Sequence, residues 1–362
     1  MSTIAHQDRE ITGGVDTHKD THTAAAIDSA GRPLGSEQFE ANAEGYALLL
    51  AWLRSFGTLV LVGVEGTDAY GAGLARHLRE QDVTVVEIDR PDRKARRWQG
   101  KSDPVDAEAA ARAALSARRT GTPKRRDGRV EALRSLRVAR RSAVRQRADV
   151  TRQMKTLIVT APEELRSALR DLGDRQLIAT CAFAGPAPER AGDPTVATEL
   201  ALRTLARRHQ RLSEEIDDLD ALIAPLVAEI APDLLALNGV GADVAGQLLV
   251  TAGDNPERLR SEAAFAMLCG AAPLPASSGR THRHRLNRGG DRAANAALYR
   301  IVLCRLRWDE RTKNYMRRRT TEGLSKKEII RCLKRFIARE IYRVLTTPST
   351  PSTTTEQLTI AA

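Results

Sequence analysis

The residues able to do chemistry in this chain are carboxylates and a hydroxyl. Asp16 ends the apolar stretch Ile11 to Asp16, and a second apolar run, Ala24 to Ile27, returns after a polar turn. Glu65 ends the run Thr-Leu-Val-Leu-Val-Gly-Val-Glu, residues 58 to 65. Asp103 and Asp106 stand three apart in Asp-Pro-Val-Asp, so both project from one face of a helix. Such carboxylates, with no obligatory histidine, form a hard-oxygen set that selects Mg²⁺ or Mn²⁺ rather than zinc. Two such ions clamp the attacking and leaving oxygens of a phosphodiester. Taken singly, each acid has a plainer reading. Asp103 would serve as a helix N-cap with Pro104 at N1, and Glu65 as an ordinary surface carboxylate.

The hydroxyl lies far downstream. Residues 271 to 292 read as a loop crowded with cations, with Ser277 and Ser278 before Gly279 in a Pro/Gly frame. A serine is a weak nucleophile until a base or metal activates it. Ser278 is the first candidate and Ser277 the runner-up. Arg280, Arg283, Arg285 and Arg288 would bind the attacked phosphate and stabilise its charge, with His282 and His284 as proton carriers. On chemistry alone, Ser-Ser-Gly reads as a flexible turn.

The acids need elements that bring them together. Ile11 to Asp16, Thr23 to Asp28 and Pro33 to Phe39 read as strands, and Glu44 to Ser55 as a helix. Thr58 to Glu65 follows as a buried strand, Ala69 to Glu80 as a helix and Val83 to Ile88 as a strand. Pro91 to Trp98 and Asp103 to Ala117 are helical. The order β-β-β-α-β-α-β-α implies a mixed sheet with crossover helices, the order of a ribonuclease H-like domain. In the first strand, Gly13 and Gly14 permit close approach of a backbone or ligand.

The rest of the chain is basic and helical. Lys124 to Lys155 holds twelve basic residues against three acids, with a thin apolar stripe of Val130, Leu133, Leu136, Val144 and Ile158. Its one-sided charge favours nucleic-acid contact, with Arg137, Arg140 and Arg141 as candidates, over a solvated face. Phe183 to Ala197 reads as a loop or hinge. Leu202, Leu205, Leu212, Ile216, Leu219, Ile223, Leu226 and Ile230 then repeat at three- and four-residue steps. That repeat suits an internal hairpin on the basic helix or a coiled coil between chains. Leu237-Asn238-Gly239-Val240-Gly241 resembles a helix-hairpin-helix, whose Gly239 and Gly241 would expose N–H groups to DNA phosphate. Ser261 to Gly270, Ala293 to Arg307 and Lys326 to Leu345 are helices, with Arg317, Arg318 and Arg319 in a connector. Thr346 to Thr355 is rich in Thr, Pro and Ser and reads as disordered.

Whole-chain properties agree with a polyanionic partner. The formal net charge is +11 over 362 residues, and arginine supplies 48 of the 57 basic residues. Guanidinium forks pair bidentately with phosphate. Aromatics are only 4%, which argues against a base-stacking platform. The four cysteines are far apart, with no Cys-x-x-Cys spacing. Neither a zinc site nor a disulfide framework is suggested. No signal peptide or membrane-length apolar run is expected.

At this point the sequence resembles the IS110/IS1111 family of transposases. The resemblance rests on Gly14-Val15-Asp16-Thr17-His18-Lys19, Gly63-Val64-Glu65 and Lys101-Ser102-Asp103-Pro104-Val105-Asp106-Ala107. In the second half it rests on Leu237 to Gly241, Cys269-Gly270-Ala271-Ala272-Pro273, Ser278-Gly279 and Leu286-Asn287-Arg288-Gly289-Gly290. It implies an α/β, RuvC-like (RNase H-like) metal-binding domain at residues 1–120 whose four acids are Asp16, Glu65, Asp103 and Asp106. A basic helical, coiled-coil region would occupy 121–230. A mainly α domain with the helix-hairpin-helix and nucleophilic Ser278 would occupy 231–345, and a disordered tail 346–362. The resemblance further implies Mg²⁺ or Mn²⁺, double-stranded DNA at element ends and target, and a structured guide RNA. It also implies dimers or tetramers in which the acids of one subunit meet the serine of another, in the bacterial cytoplasm and at the nucleoid. Rival readings are a metal nuclease of the Holliday-junction type, an actin-like ATPase and an inactive nucleic-acid binder. The ATPase would need a second glycine-rich phosphate loop, which the sequence does not offer.

Overall fold

A computed structural model describes residues 9–88, 102–117, 120–183, 188–280 and 284–347. The helix expected over Pro91 to Trp98, the residues His282 and Arg283, and the tail from residue 348 onward lie outside the described residues. The chain divides into two compact units: residues 1–128 with 252–260, and residues 129–251 with 261–362.

The first unit is a sheet between helices. Its elements are β1 (Glu10–Thr17), β2 (Thr21–Asp28), β3 (Pro33–Glu40), α1 (Ala43–Arg54), β4 (Thr58–Glu65), α2 (Ala72–Glu80), β5 (Val85–Ile88), α3 (Asp103–Leu115) and β6 (Thr120–Gly121). The sheet runs β3-β2-β1-β4-β5-β6. β1, β2 and β3 form an antiparallel meander, while β1, β4 and β5 are parallel. Parallel neighbours require crossovers, which is why the chain turns helical after β3 and β4. The order and directions agree with the ribonuclease H-like expectation. β6 was not anticipated; two residues carry no periodicity to read.

Alternation along β1 sorts its side chains onto two faces. Ile11 and Val15 pack with Leu49, Leu53, Val62 and Leu74 in one apolar core. The other face meets α3. A Cβ on Gly14 would stand 2.1 Å from the Ala111 nitrogen and 2.2 Å from the Ala107 oxygen. On Gly63 it would stand 2.8 Å from the Ala110 oxygen. The absent side chains let the backbone of α3 lie directly on β1 and β4.

Residues 252–260 belong with the sheet unit. Asn255 Nδ2 donates to the Pro123 carbonyl at 3.1 Å, and Arg258 pairs with Glu87 at 3.5 Å. Contacts so distant in sequence leave no local signal.

The second unit is mostly helical: α4 (Arg129–Val159), α5 (Glu163–Leu169), α6 (Asp174–Phe183), α7 (Pro194–Ile230), α8 (Pro232–Leu235), α9 (Ala242–Ala252), α10 (Glu262–Leu268), α11 (Arg292–Trp308), α12 (Glu310–Thr321) and α13 (Lys326–Thr346). α4 and α7 pack along each other, and Val150, Met154, Ile158, Leu202, Leu212 and Ile216 share one core with Leu177 of α6. The apolar repeat of α7 is thus covered within one chain, as an internal hairpin would have it. The Asp193 side chain caps α7, so the expected hinge is shorter than Phe183 to Ala197.

α8 is a single turn, and Leu237 to Gly241 joins it to α9. Two further expectations change. Arg317, Arg318 and Arg319 lie on α12, not in a connector; the side chain of Asp309 caps that helix. The cation-rich loop contains a small antiparallel ribbon of β7 (Leu274–Pro275) and β8 (His284–Arg285).

Candidate active site

Asp16, Asp103 and Asp106 converge at one end of the sheet. Asp16 shares the face of β1 that carries Gly14, and Glu65 shares the face of β4 that carries Gly63. Both therefore point to the side on which α3 lies. β1 and β4 pair up to Val15 beside Val64, which leaves Asp16 and Glu65 at adjacent strand ends. Thr17 ties these ends together, its hydroxyl donating to the Glu65 carbonyl at 2.9 Å.

α3 delivers the other two acids. Ser102, not Asp103, is the N-cap, so Asp103 and Asp106 both fall in the first helical turn. The positive helix end favours carboxylates there. Asp106 is buried and Asp103 is about half exposed. The sequence missed one member of the group. His18 Nε2 lies 3.3 Å from Asp16 Oδ2 and 3.5 Å from Asp103 Oδ1. One ligand atom from each of Asp16, His18 and Asp103 lies within 4.8 Å of the other two. The signal was available, since His18 follows Asp16 by two residues in the polar turn after β1. Glu65 is close along the sheet but stands outside that tight group.

Burial pushes the Asp16 carboxyl above its ordinary value; His18 opposes this, while Asp106 and Asp103 add to it. Crowded carboxylates of this kind call for a cation, and their oxygens suit a hard divalent ion. The donor set therefore fits the metal that the acids imply.

The serine sits in the other unit. Ser277, Ser278 and Gly279 are exposed beyond the β7–β8 ribbon, and Gly279 has φ +55° with open space around its missing side chain. Two motifs clamp the base of this hairpin. A Cβ on Gly290 (φ +81°) would stand 2.5 Å from the Leu268 oxygen, and the Asp291 N–H donates to that oxygen at 2.6 Å. Asn295 Nδ2 donates to the Cys269 and Gly270 carbonyls at 2.9 and 3.0 Å. Its own Oδ1 accepts from buried Lys334 at 2.9 Å. These bonds tie down the hairpin root, while residues 277–280 are exposed.

The candidate nucleic-acid contacts divide. Arg280, Arg285, Arg288 and Arg141 are exposed. Arg137 is held by Asp243 at 2.9 Å, and Arg140 pairs with Asp220 and Asp243. These two cations are engaged inside the helical unit. Gly239 packs against Cys304 of α11, whereas Gly241 is open. Asp243 already places a negative charge on the first turn of α9, which competes with a phosphate there. A groove of about 1010 Å³ beside the hairpin root is lined by Arg285, Arg318, Arg319, Arg331, Lys334 and Arg335. Periodicity alone could not gather these cations from three elements.

Among the described residues, no helix is long and apolar enough to cross a membrane. Residues 13–162 match the family model of the IS110 DEDD transposases, and residues 231–317 match that of the IS116/IS110/IS902 transposases. A curated relative, the insertion element IS900 uncharacterized 42 kDa protein of Mycobacterium paratuberculosis, is 25% identical over 340 residues, covering 87% of this chain and 84% of the relative. Fold, clustered acids and matches define the class: a DNA transposase or recombinase, whose substrate is DNA. Within that class the chain belongs to the IS110 family.

Proposed function

We propose that this transposase mobilises an insertion sequence by cutting and rejoining DNA through Ser278, with Asp16, Glu65, Asp103 and Asp106 holding Mg²⁺ or Mn²⁺. The observation that carries this reading is the convergence of Asp16, Asp103 and Asp106 where β1 meets the start of α3. When bound, the ion supplies positive charge beside the scissile phosphate. The Ser278 hydroxyl attacks phosphorus, so that the Oγ–P bond forms and the bond from phosphorus to the 3′ oxygen breaks. The serine proton ends on the freed 3′ hydroxyl by way of solvent. The 3′ hydroxyl of the exchanged strand then attacks the 5′-phosphoserine, and Oγ leaves and regains a proton. Exposed Arg280, Arg285 and Arg288, with Arg283, neutralise the phosphate during both steps.

The remaining parts of the proposal concern partners. A structured RNA encoded by the element pairs with target and donor DNA, and the exposed arginines of α4, Arg141 among them, hold phosphate backbone. The acids and Ser278 lie in different units. This suits an assembly, dimer or tetramer, in which the acids of one copy serve the serine of another. Arg137, Arg140 and Gly239 are weaker candidates for nucleic acid than the sequence suggested because they are engaged by their neighbours, and Gly241 because Asp243 puts a negative charge beside it.

The test is a denaturing gel of protein incubated with element-end DNA and Mg²⁺. Wild type gives a covalent protein–DNA adduct, and Ser278→Ala gives none while still binding DNA. Adducts that persist in Ser278→Ala but vanish in Ser277→Ala move the role to Ser277. Cleavage without any adduct supports the metal nuclease that uses water.

A further inference from the structure

We propose that His18 is a ligand of the divalent ion and shifts the preference of this centre from Mg²⁺ towards Mn²⁺. The inference rests on the metal-site reading above and adds to it a nitrogen donor that an all-carboxylate centre does not contain.

The geometry is specific. Nε2 of His18 stands between Asp16 and Asp103, at 3.3 and 3.5 Å from their nearer oxygens. One ion placed among these three atoms would touch a nitrogen and two carboxylate oxygens, each within 4.8 Å of the others. The ring is held there by backbone. The His18 N–H donates to the Thr21 carbonyl at 3.0 Å and closes the turn between β1 and β2. Thr17 pairs with His22 across the same turn. The 3.3 Å contact with Asp16 places the ring on the same side as that carboxylate. The other nearby imidazole is not available: His22 is fully buried, stacked 5.6 Å from Tyr46, and bonds the Thr21 carbonyl.

The chemical consequence follows from donor hardness. Mg²⁺ demands oxygen ligands and near-ideal octahedral geometry, and it keeps its waters. Imidazole is a softer donor that suits transition metals. Replacing one oxygen or water by Nε2 therefore costs Mg²⁺ more than Mn²⁺.

The test uses the full chain and the metals alone. Mn²⁺ binding is followed by electron paramagnetic resonance, and Mg²⁺ by its displacement of Mn²⁺. In wild type the Mn²⁺ signal should carry the ¹⁴N modulation of a bound imidazole. In His18→Gln that modulation should disappear. Mn²⁺ affinity should fall by about tenfold, the least that loss of even an outer-shell partner usually costs. Mg²⁺ affinity should change far less. His18→Asp, an all-oxygen centre, should favour Mg²⁺ over Mn²⁺ relative to wild type. Mn²⁺ bound without nitrogen modulation, or equal loss of both metals in His18→Gln, overturns the role of His18 and leaves the acids as the metal site. Failure of wild type to bind either ion, with Asp16→Asn indistinguishable from it, overturns the metal site itself.

Discussion

Asp16 and Cys269 show how burial assigns opposite fates to groups that react. Asp16 is crowded by Asp103 and Asp106, and burial adds to the cost of its charge. Without metal, that charge is a net loss to folding. Asp16→Asn should therefore raise the urea midpoint of the metal-free protein while abolishing Mn²⁺ binding, a trade of stability against function. Cys269 is fully buried, and burial pushes its thiol up to about 12. Buried and protonated at neutral pH, it is an inert structural thiol. Iodoacetamide should modify Cys269 in the native protein more slowly than the half-exposed Cys304 and Cys332, as read by peptide mass spectrometry. The positions of Asp16, Glu65, Asp103 and Asp106 at strand ends and a helix start were legible in the sequence because such places are local patterns. His18 carries no such pattern, because it stands in the turn after β1 and its place beside two carboxylates depends on α3.

At the scale of elements, a close contact and an ion-pair cluster carry the argument. α3 approaches β1 only because residue 14 has no side chain. Gly14→Ala must push the helix backbone outward, and overpacking of this kind costs about 1–3 kcal/mol or more. Chemical denaturation should show the loss, and Mn²⁺ affinity should fall with it because Asp103 and Asp106 ride on α3. In the helical unit, Asp243 of α9 receives Arg137 and Arg140 of α4 and Arg300 of α11. Despite burial, these guanidinium groups hold its carboxyl below the ordinary value. A carboxyl whose folded value is depressed stabilises above its unfolded value. That contribution is lost as pH falls through the folded value. Thermal stability of wild type should therefore drop below about pH 4, and Asp243→Asn should remove that component of the drop. At neutral pH the variant should cost about 2 kcal/mol, less than a fully buried pair because Arg300 and Asp243 keep some contact with water. The basic helix α4 was legible as a helix. That two of its arginines serve Asp220 and Asp243 was not, since those partners lie 80 or more residues away.

For the whole molecule, the division into two units sets the mechanism's main demand. The acids lie in residues 1–128, and Ser278 lies in the unit that contains 261–362. If the acids of one copy serve the serine of another, Asp16→Asn and Ser278→Ala are each inactive alone. Mixed, they should restore part of the strand-exchange activity, because some pairings contain one intact centre. No restoration at any mixing ratio would place both groups in one chain's centre. Net charge +11 adds a salt dependence: DNA affinity should fall steeply between about 50 and 200 mM salt, as counterion release requires.

The amino-acid order by itself determined the strands, the long helices and the placing of four carboxylates at strand ends and a helix start. Each is written in a period of two or of about three and a half residues, or in a short motif. It also determined the positive charge, which needs no geometry. The tertiary structure alone decided that α3 lies on Gly14 and Gly63, that His18 stands between two carboxylates, and that residues 252–260 return to the sheet unit. Those outcomes depend on backbones meeting across long stretches of chain, where packing and not local periodicity chooses the neighbour.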